Sequence, residues 1–125
     1  MDVAAAIIVK KGKILIAKRR EGKWEFPGGR IEKGETPEEC LKREIEEELM
    51  LGLANIKFFT TVKYTYSFGE VVLHVFIANC SGKIVMKEHE DVRWISIEEM
   101  NNFDFMEADK KVIEEIIKRR KELGL

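Results

Sequence analysis

Three glutamates, Glu44, Glu47 and Glu48, stand at spacings i, i+3 and i+4 in a segment that opens as a helix should. Thr36 is a good N-cap, Pro37 suits the first helical position, and Glu39 completes a capping box. On that helix the three carboxylates fall within an arc of roughly 100°. Leu41, Ile45 and Leu49 form the adjacent apolar stripe, which puts Glu48 at the edge of the buried face and Glu46 toward solvent. Like charges at these spacings repel, and the C-terminal half of a helix disfavours anions. A bound cation removes both penalties. A solvated acidic face is the plainer alternative, and the residues before the helix bear on the choice.

Those residues are Pro27-Gly28-Gly29, where the backbone can approach a ligand closely and offer a carbonyl to a metal. Every candidate ligand is an oxygen, so the metal is a hard one, Mg²⁺ with Mn²⁺ as substitute. A net charge of −1 provides no basic field for a nucleic acid polymer. The apolar run Val3–Val9 is short, follows Asp2 and leads into Lys10-Lys11, so it reads as a strand and not as a leader or membrane span. Cys40 and Cys80 have no metal-ligand spacing, and two free buried thiols in a reducing cytoplasm are expected.

The chain reads as one domain, residues 1–125, with 45% hydrophobic residues to build a core. Val3–Val9 and Ile14–Ala17 form a hairpin about Lys10–Lys13, and Trp24–Phe26 is a short strand stopped by Pro27. The acidic helix follows. Ile56–Ser67 and Val71–Asn79 are rich in β-branched and aromatic residues and predict a long antiparallel pair. Short strands are expected near Ile84–Met86 and over Val92–Ile95, then a short helix over Ile97–Asn101. Asp109–Leu123 carries Val112, Ile113, Ile116 and Ile117 as the apolar face of a last helix. The fold class is α+β, an α/β/α sandwich with a mixed sheet.

Gly29, five residues, Glu35, seven residues, then Arg43-Glu44-Ile45-Glu46-Glu47-Glu48 matches the Nudix box at every position but its terminal glycine. The preceding Trp24-Glu25-Phe26-Pro27-Gly28-Gly29 resembles the MutT branch of Nudix hydrolases, and the resemblance extends over the whole chain. It implies the Nudix fold, with a catalytic loop-helix and a C-terminal helix. It also implies Mg²⁺-dependent hydrolysis of nucleoside triphosphates, including oxidised purines such as 8-oxo-dGTP, to nucleoside monophosphate and pyrophosphate. By this likeness Glu44, Glu47 and Glu48 bind metal with a carbonyl from Gly28 or Gly29, while Glu35 and Arg43 pair and orient loop and helix. Glu88, on a late loop, is the further metal- or water-directing glutamate, with Glu90 in reserve, and His89 reads as a surface residue. Arg30 is placed to meet a phosphate, and Phe26, Asp109 and Arg19 are candidates for the nucleotide; a helix N-cap is the plainer role for Asp109.

The resemblance leaves other substrates open: CTP, dinucleoside polyphosphates through Tyr64 or Tyr66, and ADP-ribose, whose hydrolases usually carry a downstream proline that is missing after Pro37. A non-catalytic nucleotide-binding module is the rival of another class, although such modules tend to lose the glutamates kept here. The partner expected is a small nucleotide, with no membrane, and the chain is a monomer or a homodimer. Where the box ends in glycine this chain has Met50. Left-handed Met costs on the order of 1 kcal/mol, so Gly52 is expected to take over the cap and the helix to end near Leu51.

Overall fold

The computed structural model describes Met1–Leu125. Its strands are β1 (Asp2–Lys10), β2 (Lys13–Lys18), β3 (Trp24–Glu25), β4 (Gly28–Arg30), β5 (Gly52–Tyr66), β6 (Gly69–Ser81) and β7 (Asp91–Ile95). Helix α1 (Pro37–Leu49) lies between β4 and β5, and α2 (Glu107–Lys118) follows a 3-10 helix at Ile97–Asn102. The path through the sheet runs β3-β2-β1-β6-β5, with β4 added to β1 and β7 to β2. Only β1 and β6 pair in parallel, so the sheet is mixed.

Alternation along the central strands decides the layers. Ala5 and Ile7 of β1, with Ile14 and Ile16 of β2, face a core closed by Val112, Ile113 and Ile116 of α2. Ala4, Ala6, Ile8 and Leu15 point the other way, onto Leu41, Ile45 and Leu49 of α1. Burial on both faces explains why β1 and β2 are nearly unbroken apolar runs. The result is the expected α/β/α sandwich. No helix is long and apolar enough to cross a membrane.

The short strand β3 stops before Pro27 as expected, and the chain returns at Gly28–Arg30 as β4, a strand not expected, with Gly28 opposite Ala5. A Cβ on Gly28 would overlap the Ala4 carbonyl, so only glycine permits that approach. Ile84–Met86 is not a strand. Its surroundings donate instead to the end of α1, Val85 N–H to the Leu49 carbonyl and Lys87 N–H to that of Glu48, both at 3.0 Å.

Helix α1 stops at Leu49, with Met50 left-handed at φ 57° and ψ 31°, so rescue by Gly52 does not occur. Gly52 is already paired with Ser81 as the first residue of β5. Leu51 is buried beneath α1, and another helical turn would withdraw it from that core. At the C-terminus α2 begins at Glu107 and ends at Lys118, followed by a 3-10 turn at Arg120–Leu123. Ile117, assigned to its apolar face, is half exposed.

Candidate active site

Glu48 of α1, strand β4, and Glu88 and His89 of the irregular segment 82–90 border a cleft of about 470 Å³. Glu48 is the group that defines it. Its side chain is buried at the edge of the apolar stripe, and its Oε2 makes no hydrogen bond. Burial pushes its carboxyl up to about 9, reinforced by the charges of Glu44, Glu25 and Glu88. A buried acceptor without a donor is costly. Its environment is repaired either by a proton or by a cation.

Glu44 reaches the same region from one turn earlier, beneath Gly29. A Cβ on Gly29 would lie 2.7 Å from the Glu44 Cγ and overlap its carboxylate. Arg43 lies alongside and organises this corner. Its Nε and Nη2 donate to the two oxygens of Glu35 at 2.7 and 3.0 Å, and its Nη1 donates to Glu44 at 2.7 Å. The Arg43 bonds hold the Glu35 carboxyl down at about 2, with help from the Glu32 N–H. Arg43 Nη2 also donates to the Arg30 carbonyl at 3.3 Å, tying loop to helix.

Not every expected residue meets in the cleft. Gly28, Gly29, Arg30, Glu48 and Glu88 line it. Glu47 does not: it is largely exposed on the outer side of α1, 3.4 Å from Arg43 and in a groove shared with Lys87. Glu90 is exposed, and its N–H bonds the Lys18 carbonyl. The acidic groups are not drawn into a preformed cluster of three. An all-oxygen, partly open set with one orphaned carboxylate suits a hard divalent cation that keeps waters and takes further ligands from phosphate.

The nucleotide candidates Arg19, Phe26, Arg30 and Asp109 line the same cleft. Asp109 is not an N-cap; Met106 holds that position. Its buried Oδ1 accepts the Phe26 N–H at 2.9 Å, and burial raises its pKa to about 8. Phe26 is a core residue stacked on Phe105, with an edge on the cleft. Arg19 pairs with Glu21 and, at 3.4 Å, with Glu25. Arg30 donates from Nε to the Met1 sulfur at 3.3 Å. Arg19, Glu25 and Asp109 also border a more apolar chamber of about 260 Å³, walled by Tyr66, Phe68 and Leu73.

Two participants, His89 and its partner Glu25, escaped the sequence reading. His89, read as a surface residue, has only 6% of its side chain exposed, and its Nε2 lies 2.9 Å from Glu25. Their separation of 64 positions left no local signal. Tyr66 is committed to structure, its hydroxyl accepting the Ala108 N–H at 2.9 Å.

Known proteins resemble this chain in sequence and fold. Residues 1–116 match the model of the NUDIX domain. The chain is 34% identical over 123 residues to the 8-oxo-dGTP diphosphatase of Buchnera aphidicola from Schizaphis graminum, covering 94% of this chain and 93% of that protein. It is 32% identical over 120 residues to the CTP pyrophosphohydrolase of Escherichia coli, covering 91% and 89%. The MutT NUDIX hydrolase of Burkholderia pseudomallei superposes with a TM-score of 0.85 at 28% identity, covering 92% of this chain and 96% of that one.

The chain therefore belongs to the Nudix family. Within it, the chain is a pyrophosphohydrolase of MutT type, a class that works with divalent metal and a nucleotide substrate.

Proposed function

We propose that this enzyme hydrolyses nucleoside triphosphates to nucleoside monophosphate and pyrophosphate with Mg²⁺ as its metal, Mn²⁺ serving as substitute. The observation that carries the reading is Glu48, a buried carboxylate with an unpartnered oxygen at the wall of a cleft that Gly28, Gly29 and Glu88 share. Glu44, Glu47, Glu48 and Glu88 hold the metal with a carbonyl of Gly28 or Gly29, the outer Glu47 acting at the open side. When bound, Mg²⁺ neutralises phosphate oxygens and lowers the pKa of a coordinated water. A glutamate of this set accepts the proton of the attacking water. Arg43 and Glu35 fix the loop and the helix relative to each other, and Arg30 meets a phosphate.

The base end is read as Phe26, Arg19 and Asp109. An Asp109 that stays protonated near neutral pH has a hydroxyl to donate to a base carbonyl while still accepting the Phe26 N–H. Such a donor suits any base carbonyl, and 8-oxo-dGTP is the leading reading because one relative, 34% identical, is an 8-oxo-dGTP diphosphatase. CTP is the second reading, favoured by the pyrimidine-specific name of one relative at 32% identity. We take residues 1–125 as one such domain, because both cores are built on a single sheet. Cys40 is buried and Cys80 only half-buried, against the expectation of two buried thiols; both are free, and we place the protein in a reducing cytoplasm.

The test is turnover of a nucleotide panel with Mg²⁺, assaying pyrophosphate against orthophosphate, in the wild type and in Glu47→Gln. The proposal expects pyrophosphate from nucleoside triphosphates and loss of turnover in a folded Glu47→Gln protein. Near-normal activity in that variant removes Glu47 from the metal set.

A further inference from the structure

His89 is held as few loop residues are. It belongs to the irregular strap 82–90 that joins β6 to β7 and supplies Glu88 and His89 to the lining of the cleft. Main-chain bonds tether this strap on either side of Glu88. Val85 and Lys87 donate to the last carbonyls of α1, and Glu90 donates to the Lys18 carbonyl at 2.9 Å. Arg20 Nε donates to the Glu88 carbonyl at 3.2 Å. Among these anchors His89 alone contributes a buried side chain, its Nε2 against Glu25 of β3 at 2.9 Å. Its Nδ1 is buried and makes no bond, so Glu25 is the only polar tie the ring has.

The neighbour of His89 is Glu88, whose exposed side chain lines the cleft and whose charge reaches Glu48. An exposed glutamate on an irregular segment has many rotamers and backbone states to lose before it can act at one point. Burying the next side chain against a charged partner on a strand removes much of that freedom in advance. We propose that His89 is a positioning residue for the hydrolytic reaction: the His89–Glu25 clasp fixes the strap so that Glu88 is presented to the cleft. This rests on the reading that Glu88 takes part at the metal-phosphate end.

The experiment compares wild type, Glu88→Gln, His89→Ala and His89→Gln with Mg²⁺ and a nucleoside triphosphate. Hydrogen exchange of the Lys87 and Glu90 amides is followed in the metal-free proteins. His89→Ala is expected to lower kcat about tenfold to a hundredfold, as losses of supporting partners at metal sites do. Its KM should change less than kcat, the Arg19–Glu25 pair being the only link from the clasp to the base end. Both amides should exchange faster. His89→Gln, which keeps a side-chain N–H donor, should recover most of kcat and of the protection.

Wild-type kcat in His89→Ala, with Glu88→Gln impaired, overturns the role of the clasp. Equal impairment of both His89 variants with unchanged amide exchange overturns it too. Wild-type kcat in Glu88→Gln overturns the reading of Glu88 itself, and the clasp then has nothing to position.

Discussion

Gly29 and Glu44 pack so closely that a Cβ on Gly29 would fall 2.7 Å from the Glu44 Cγ and into its carboxylate, so the Glu44 side chain would have to move. The glycine is therefore a packing requirement for the glutamate, beyond any carbonyl it offers. Gly29→Ala is expected to displace Glu44 and to lower kcat by about a hundredfold, the scale on which small misplacements at reacting centres act. Gly12→Ala, strained by its φ of 76° but set in the open β1–β2 turn outside the cleft lining, meets no such contact and serves as the comparison. Equal kcat values for the two variants would contradict the Gly29 argument.

Arg43 grips Glu35 with two donors while holding Glu44 with a third. Lysine keeps the charge and loses the planar fork. Arg43→Lys should cost about tenfold to a hundredfold in kcat, the range for groups that orient metal ligands. Steady-state kinetics at saturating Mg²⁺ would check it; full activity would mean that charge alone suffices at this position.

Asp109 gives a prediction in pH. Its folded pKa of about 8 is raised from 3.8, so the folded state keeps a proton that the unfolded state gives up. Its contribution to stability is fully present below 3.8 and is lost as pH climbs to about 8. In Asp109→Asn the side-chain amide does not titrate, and its oxygen still accepts the Phe26 N–H. The melting temperature of Asp109→Asn relative to wild type should therefore rise across this window and level off above it. A constant difference from pH 4 to pH 8 would contradict the shift.

Met50 holds a left-handed cap that glycine adopts at no steric cost. Met50→Gly is expected to stabilise by about 1 kcal/mol, a few degrees in Tm for a domain of this size. Thermal unfolding measures it, and an unchanged or lower Tm would show that the cap carries no strain.

Most of this architecture is legible because it is local. The capping box at Thr36 and Glu39, the apolar runs of β1 and β2 and the spacing of the α1 glutamates each act over a few residues. What the sequence hides is what the fold assembles from afar. The strap around Ile84–Met86 looks like a strand in composition, yet its amides serve the carbonyls of α1. His89 looks solvent-exposed in sequence because its partner Glu25 lies in a distant strand. Asp109 resembles a cap, but α2 begins two residues earlier and turns it toward Phe26. Met50 departs from expectation for a related reason: the burial of Leu51 outweighs the cost of a left-handed methionine. The exposed placement of Glu47 has no signal in helical periodicity, which sets its arc but not the direction of the cleft.

The central claim is hydrolysis of a nucleoside triphosphate to monophosphate and pyrophosphate; likeness to MutT implies attack at the β-phosphorus, and the position of oxygen transfer tests it most directly. Turnover of 8-oxo-dGTP with Mg²⁺ in ¹⁸O-labelled water should place the label in pyrophosphate. The bridging oxygen then leaves with an unlabelled monophosphate. Label in the nucleoside monophosphate would contradict attack at that phosphorus, and release of orthophosphate alone would contradict the reaction itself.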